Sequence, residues 1–397
     1  MSPIGVSAAD DGDEPVEAGS RACVLVVLSD PLSGIISKGA VVPRYYNPGN
    51  VFREVHFLLL NDDCPDAGRL QYMVGDARTL VHNLPLPPRF ILRSLGWQPA
   101  AMGKLFAEAA AIAQTIKPGL IRAYCAGLNA LVANDLGRRL SVPALISVHS
   151  RPDFWIASDF RSNLRERAIA ALATRVVRGA EHTLAIYWPQ LPYFRRLGVE
   201  PHLIHNVIAG AEVPVKQSYA VDVALRLISV GRHMPGKDLR HLLSAVAQLP
   251  GIEVTVVGGG PTHARLVQHA DSLGLGERCR FIATWDNADL VSKLASYDAF
   301  AAHTVYPETP KAAMEPMLAG LPVIMNRNRG DYESELDGAA ELVEDSIEGY
   351  RTALVSLQSS EAARRELGKR CRARALELWE PVATEARHAA LHARLSR

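Results

Sequence analysis

No charge of either sign dominates this chain. It carries 43 Lys and Arg against 42 Asp and Glu, a formal net charge of +1 over 397 residues, which argues against a nucleic-acid partner recognised through bulk charge. No run approaches the roughly 18–20 consecutive apolar residues of a membrane span. No charged-then-apolar signal opens the sequence. The five cysteines (Cys23, Cys64, Cys125, Cys279, Cys371) contain no Cys-x-x-Cys pair. That excludes the usual zinc patterns, and an odd, dispersed set reads as free thiols buried in the core of a protein from a reducing compartment. Asn61-Asp62-Asp63 has no His or Asp partner at metal-site spacing and reads as a turn after a strand. The expectation is a cytoplasmic, metal-free protein without a transmembrane segment, peripheral membrane contact being left open.

What is present is enough apolar sequence, 48%, for two large domains. Residues 1–20 are acidic and small and read as a disordered leader. From Ala22 short apolar runs alternate with amphipathic segments, which predicts a parallel sheet with helices on both faces. A second such series begins near Ala224. The expected division is a first doubly wound domain over 21–207, a linker over 208–223 and a second doubly wound domain over 224–376. A tail helix over 377–397 is expected to pack back on the first domain. Pro381 should kink or start that helix. Residues 75–96 are expected to hold one strand, near Thr79–Asn83, and a loop.

Chemistry concentrates in two segments of the second series. In Leu227–Leu239, Arg232 and Lys237 follow a strand in a loop flanked by Gly231 and Gly236. Glycine lets backbone approach a phosphate, and two cations balance a diphosphate; the alternative is a solvated loop with two surface cations. In Pro307–Ile324, Glu308, Thr309 and Pro310 precede a predicted helix, Lys311–Ala319. Glu308 and Lys311 would contact sugar hydroxyls and the distal phosphate, or would cap the helix. Glu315, inside the helix, is either a ligand for vicinal hydroxyls such as those of a ribose or part of a solvated face. Helix starts and cations both favour anions, so Arg232, Lys237 and Glu315 together suggest a nucleotide-sugar site. Gly258-Gly259-Gly260-Pro261 follows another strand. It lacks the third glycine of a dinucleotide fingerprint, and Gly259 is kept as a donor-loop candidate. His149 closes a strand on the edge where ligands bind in such folds; it would hydrogen-bond a sugar near the reacting centre, or is a packed edge histidine. Gly39, after the first strand, would let backbone amides approach phosphate or acceptor.

Taken together these segments resemble glycosyltransferase family 4, retaining enzymes of the GT-B fold. The likeness rests on Gly231-Arg232, Lys237, Gly258–Pro261 and, most specifically, Glu315-Pro-Met-Leu-Ala-Gly320-Leu-Pro322-Val323, which resembles Glu-Ala-Met-Ala-x-Gly-x-Pro-Val. Asn206 resembles the asparagine before the family's interdomain linker, His149 its strand-end histidine, and Trp379 the tryptophan that opens its crossing tail helix. The likeness is good over 225–324 and thin over the first domain. It implies an α/β GT-B fold, two Rossmann-like domains facing across a cleft, with Arg232 and Lys237 on the donor diphosphate and Glu315 on the ribose. The family's first glutamate stands eight positions before the second, which is Pro307 here. Glu308 lies one position later, and a loop one residue shorter would still bring it to the sugar.

The activity this implies is retaining transfer of a hexose or amino-hexose from a nucleotide-diphosphate sugar, UDP being the family's commonest carrier. The acceptor would be a hydroxyl of a soluble natural-product intermediate of aminoglycoside type or of a cell-surface glycan. No cofactor is expected beyond the donor itself. A nucleotide-sugar epimerase of the same architecture and a non-catalytic glycosyltransferase-like partner protein are the alternatives.

Overall fold

Strand-helix alternation folds as the sequence predicts, into two parallel sheets. The structure is a computed structural model and describes residues 21–37, 41–86, 99–151, 164–208, 213–328 and 334–397. The expected leader, Gly39 and residues 87–96 of the expected loop lie outside the described residues.

The strands of the first domain are β1 (Arg21–Leu28), β2 (Phe52–Leu59), β3 (Arg78–Asn83), β4 (Leu120–Tyr124), β5 (Ala144–Val148), β6 (His182–Ala185) and β7 (His202–Leu203). They lie in the order β3-β2-β1-β4-β5-β6-β7, each neighbouring pair parallel. The described helices are α1 (Leu32–Ser37), α2 (Ala67–Val74), α3 (Pro99–Ile116), α4 (Leu128–Leu140), α5 (Leu164–Arg178) and α6 (Leu191–Leu197). Burial on both faces explains the unbroken apolar run of β1. Val24 and Val26 join Phe52 and Phe57 on one side of the sheet, and Leu25 and Val27 join Leu58 and Ala109 on the other.

The second sheet holds β8 (Leu225–Val230), β9 (Ile252–Val257), β10 (Cys279–Ile282), β11 (Ala299–Ala302), β12 (Val323–Asn326) and β13 (Glu341–Val343) in the order β10-β9-β8-β11-β12-β13, again parallel. Helices α7 (Arg240–Ala247), α8 (His263–Ser272), α9 (Asn287–Leu294), α10 (Lys311–Leu318), α11 (Ile347–Ser359) and α12 (Glu361–Trp379) accompany it, and α13 (Pro381–Leu395) follows. Strand order reverses between β1 and β4 and again between β8 and β11. Loops leaving the carboxyl ends of strands on either side of such a point diverge and open a crevice. The Arg232 loop leaves β8 and the Glu308 loop leaves β11, so both sit at the switch point of the second sheet.

Residues 213–221 lie on the second domain. Lys216 donates its backbone N–H to Ala319 O (2.8 Å) and its ammonium to Tyr297 O (2.6 Å), and the Tyr219 hydroxyl donates to Gly320 O (2.7 Å). The tail α13 returns to the first domain. Leu391 and Ala393 enter its core beside Val24 and Phe52, Glu385 accepts from Arg44 Nη2 (2.7 Å) and Gly49 N–H (2.9 Å), and His388 Nε2 lies 2.8 Å from His205 O. Trp379 does not open this helix, contrary to the expectation from the resemblance. It ends α12, fully buried in the second domain's core, because the Glu380 carboxylate caps a new helix that starts at Pro381. Glu335 ties the domains together. This second-domain carboxylate is 0% exposed and accepts from Trp188 N–H (2.7 Å) and His205 Nε2 (2.9 Å).

The cysteines are unpaired, and Cys23 and Cys371 are buried, but Cys64 and Cys125 are exposed. Those two follow the ends of β2 and β4, where the chain has already left the core.

Candidate active site

Beyond β8 the turn carrying Arg232 lies directly against the turn beyond β9. Gly231 N–H donates to Val257 O (3.0 Å) and His233 N–H to Gly259 O (2.9 Å). Gly258 and Gly260 have φ of +136° and +145°, and a Cβ on them would fall 1.9 Å from Gly231 O and 2.4 Å from His233 O. Glycine is therefore required where the two turns pack on each other. At Gly231 an added Cβ would meet nothing within 4 Å, and at Gly259 its nearest neighbour would be Ala283 O at 4.0 Å. A small cavity of about 40 Å³ opens beside Gly231, Arg232, His233, Lys237, His303 and Pro310.

Both predicted cations lie at this cavity. Arg232 is exposed and makes no hydrogen bond or ion pair among the described residues. The Lys237 ammonium stands 3.2 Å from Glu308 Oε1 and 5.6 Å from the centre of the Tyr306 ring. The structure thus joins Lys237 and Glu308 directly, which their separation in sequence did not suggest.

Helix α10 carries the rest of the predicted donor set. Pro310 is its N-cap and Lys311 its first residue; Thr309 is buried just before them. Glu315, one turn in, is 5% exposed, and Asn287 Nδ2 donates to its Oε1 (3.0 Å). Burial raises the Glu315 pKa against the opposing pull of the Asn287 bond and the Lys311 charge. A carboxylate this buried is not part of a solvated helix face, the alternative that the sequence left open. Lys311 points away from the turns and towards the first domain, its ammonium 5.8 Å from the centre of the Tyr45 ring. Burial lowers its pKa, with Glu315 pulling the other way. A cation at a helix N-terminus opposes the macrodipole, so an anion bound here would relieve both groups.

The facing wall belongs to the first domain. His149 stands just beyond β5, its carbonyl accepting from the Tyr187 hydroxyl (3.0 Å) and its ring 5.7 Å from that of Tyr124. Its Nε2 is buried and has no hydrogen-bond partner among the described residues. Burial, then the charges of Arg122, Lys311 and His388, lower the imidazole pKa to about 3, so His149 is neutral at physiological pH. Arg122 is 2% exposed; it donates to Ser147 Oγ (2.8 Å), contacts His392, and lies 4.7 Å from the Tyr124 ring centre.

Sequence reasoning missed Asn287, Tyr45, Tyr124 and Arg122. Tyr124 ends β4 as His149 follows β5, so the strand-end rule that singled out His149 applied to it too. Asn287 starts α9 beyond the carboxyl end of β10, on the corresponding edge of the second sheet. Asp63, read as a turn residue, accepts from Ser33 N–H (2.9 Å) and Ser33 Oγ (2.5 Å) and so fixes the start of α1. Among the described residues no group of three or more His, Cys, Asp or Glu could hold a metal ion. No described helix is long and apolar enough to cross a membrane.

With this geometry in hand, comparison with known proteins adds three findings. The sequence model of the family described as Glycosyl transferases group 1 matches residues 217–374. A lipopolysaccharide core biosynthesis glycosyltransferase, LpsE, of Rhizobium meliloti (strain 1021) is 30% identical over 146 residues, 36% of this chain and 42% of that relative; the match thus spans less than half the relative's length. Likeness of shape is wider. Sucrose-phosphate synthase from Thermosynechococcus elongatus has a TM-score of 0.74 at 17% identity, over 94% of this chain and 99% of that one. Anabaena Alr3699/HepE, solved in complex with UDP, has a TM-score of 0.68 at 16% identity, over 94% and 100%. Both domains together therefore have the GT-B architecture, and the second domain is similar in sequence to glycosyl transferases group 1.

Proposed function

We propose that the protein is a retaining, metal-independent glycosyltransferase that moves a hexose or amino-hexose from a UDP-sugar to an acceptor hydroxyl. The observation that carries this reading is the pair of cations, Arg232 and Lys237, at one cavity that Pro310, the N-cap of α10, also lines, with the buried Glu315 held by Asn287 one turn into that helix. Arg232 and Lys237 would bind the diphosphate, and Glu315, oriented by Asn287, would accept from the ribose hydroxyls. Lys237 would exchange its contact with Glu308 for the phosphates, which frees Glu308 to bind sugar hydroxyls. Neutral His149, with its unpartnered Nε2, would meet the sugar from the first domain. The acceptor hydroxyl then attacks the anomeric carbon on the face from which the diphosphate leaves, and its proton passes to the departing phosphate oxygen. No protein nucleophile is needed, and the fixed cations supply their effect where negative charge grows. The family likeness over 217–374 and a UDP complex among the proteins of similar shape support the donor class. A soluble intermediate of aminoglycoside type and a cell-surface glycan are both kept as acceptors; lipopolysaccharide work by the relative LpsE favours the glycan.

The test is UDP release from UDP-glucose, UDP-galactose and UDP-N-acetylglucosamine, each with and without both acceptor types, in EDTA. Acceptor-dependent release with an α-linked product is expected. Conversion of the donor to an epimer without acceptor would move the protein to the epimerases. Release that needs an added divalent ion would overturn the metal-independent mechanism.

A further inference from the structure

The donor loop 234–238 is held from one side, by the strip that follows β11. Val305 N–H donates to Gly236 O (2.8 Å), and the Tyr306 hydroxyl donates to Pro235 O (2.7 Å). The third contact differs in kind. Asp238 N–H, next in the chain to Lys237, donates to the imidazole Nδ1 of His303 (3.2 Å). An imidazole that accepts at Nδ1 must carry its proton on Nε2. Nε2 of His303 lies 3.2 Å from Asp345 Oδ2, within ion-pair distance but without hydrogen-bond geometry, and the other Asp345 oxygen lies 3.0 Å from His241 Nδ1. A carboxylate beside Nε2 selects the tautomer that the Asp238 contact needs, as outer partners do for histidines elsewhere. His303 is 6% exposed and lines the cavity that Lys237 lines, and the Tyr350 hydroxyl fixes the preceding Ala302 carbonyl (2.9 Å).

We propose that Asp345 and His303 are positioning residues for Lys237: Asp345 holds His303 in the Nε2–H tautomer, and His303 Nδ1 anchors the Asp238 N–H so that the Lys237 ammonium faces the diphosphate. This rests on the donor reading of the Arg232–Lys237 loop. Neither side chain need touch the substrate. Asp345 stays ionised in this role. Burial raises its pKa, but the two imidazoles beside it, led by the His241 bond, outweigh that and lower it.

The experiment compares His303→Asn, His303→Gln and His303→Phe. Asparagine places an acceptor where Nδ1 stood, glutamine places one where Nε2 stood, and phenylalanine keeps only the ring. Hydrogen exchange of the Asp238 amide in the free protein and UDP affinity by calorimetry are read together with the melting temperature. The asparagine variant is expected to keep exchange and affinity within about threefold of the original. The glutamine and phenylalanine variants are expected to exchange at least tenfold faster and to bind UDP at least tenfold more weakly. A role in packing alone would order the variants by volume, and equal behaviour of asparagine and glutamine overturns the proposal. Asp345→Ala, at a half-exposed position, covers the case of a variant that does not fold. There, ¹⁵N imidazole spectra should show His303 as Nε2–H in the original protein and as a mixture in the variant; an Nδ1–H tautomer in the original overturns the proposal. If UDP binds neither the original protein nor its variants while exchange follows the expected order, the donor reading falls and the positioning stands.

Discussion

Replacing His388 by glutamine should flatten the acid dependence of stability. His388 lies in α13, 6% exposed, 2.8 Å from His205 O. Burial lowers its pKa to about 4; the His205 carbonyl opposes this, and the charges of Arg122, Arg387 and His205 add to it. In the unfolded chain the same group takes its proton near the usual value of about 6.5. Between these values the unfolded state binds more protons than the folded one, so stability rises with pH. The full contribution is present above about pH 6.5 and is lost as pH falls towards 4. At pH 5 the two pKa values give the unfolded state an advantage of roughly thirtyfold, or about 2 kcal/mol. Glutamine keeps an N–H for the His205 carbonyl and does not titrate. His149 and His392 are also shifted downwards, chiefly by burial and the Arg122 charge, which both proteins share; the His388 charge is the smallest of the causes for each, so most of their contribution cancels in the difference. Thermal melts at pH 8 and pH 5, at equal ionic strength, should show the original protein losing about 4–8 °C more than the variant for a cooperative unit of this size. Losses equal to within about 1 °C would refute the reasoning.

Arg232→Ala and Lys237→Ala should each lower turnover of a UDP-sugar about a hundredfold or more, with melting temperatures unchanged, as stopped assays of UDP release would read; near-normal turnover in both would remove the cationic mechanism. Gly258→Ala should cost about 3 kcal/mol, from its positive φ and the Cβ placed 1.9 Å from Gly231 O, whereas Gly34→Ala, inside α1 with nothing within 4 Å, should gain about 0.5–1 kcal/mol; denaturant melts compare the two. Glu315→Gln should erase the preference for UDP over its 2′,3′-dideoxy analogue, measured by calorimetry, and a preference that survives would take Glu315 off the ribose.

Local pattern wrote most of the fold. The strand expected near Thr79–Asn83 forms as β3 (Arg78–Asn83), and the helix expected at Lys311–Ala319 forms as α10 (Lys311–Leu318), because both signals are set within one element. Strand β13, with three residues, is too short to show a period. The place of Trp379 was misjudged because a tryptophan before a proline fits the end of one helix as well as the approach to the next. At the candidate site, Arg232, Lys237 and Glu308 were legible because each lies in a loop that follows a strand, and Glu315 because it stands inside the helix such a loop leads into. Asn287, Tyr45, Tyr124 and the His303–Asp345 pair come together only through the crossing of chain segments far apart in sequence, and residue spacing carries no record of that meeting.

The return of α13 to the first domain sets an order of events during synthesis. Leu391, Ala393 and His392 fill positions against β1, β2 and β4, yet they are translated after the entire second domain. The amino-terminal sheet must therefore wait, with one apolar flank open to water, while everything from β8 to α12 emerges and folds. Domains usually mature in the order they leave the ribosome; here the earlier one is sealed last, and its vulnerable interval lengthens with any pause in translating the later one.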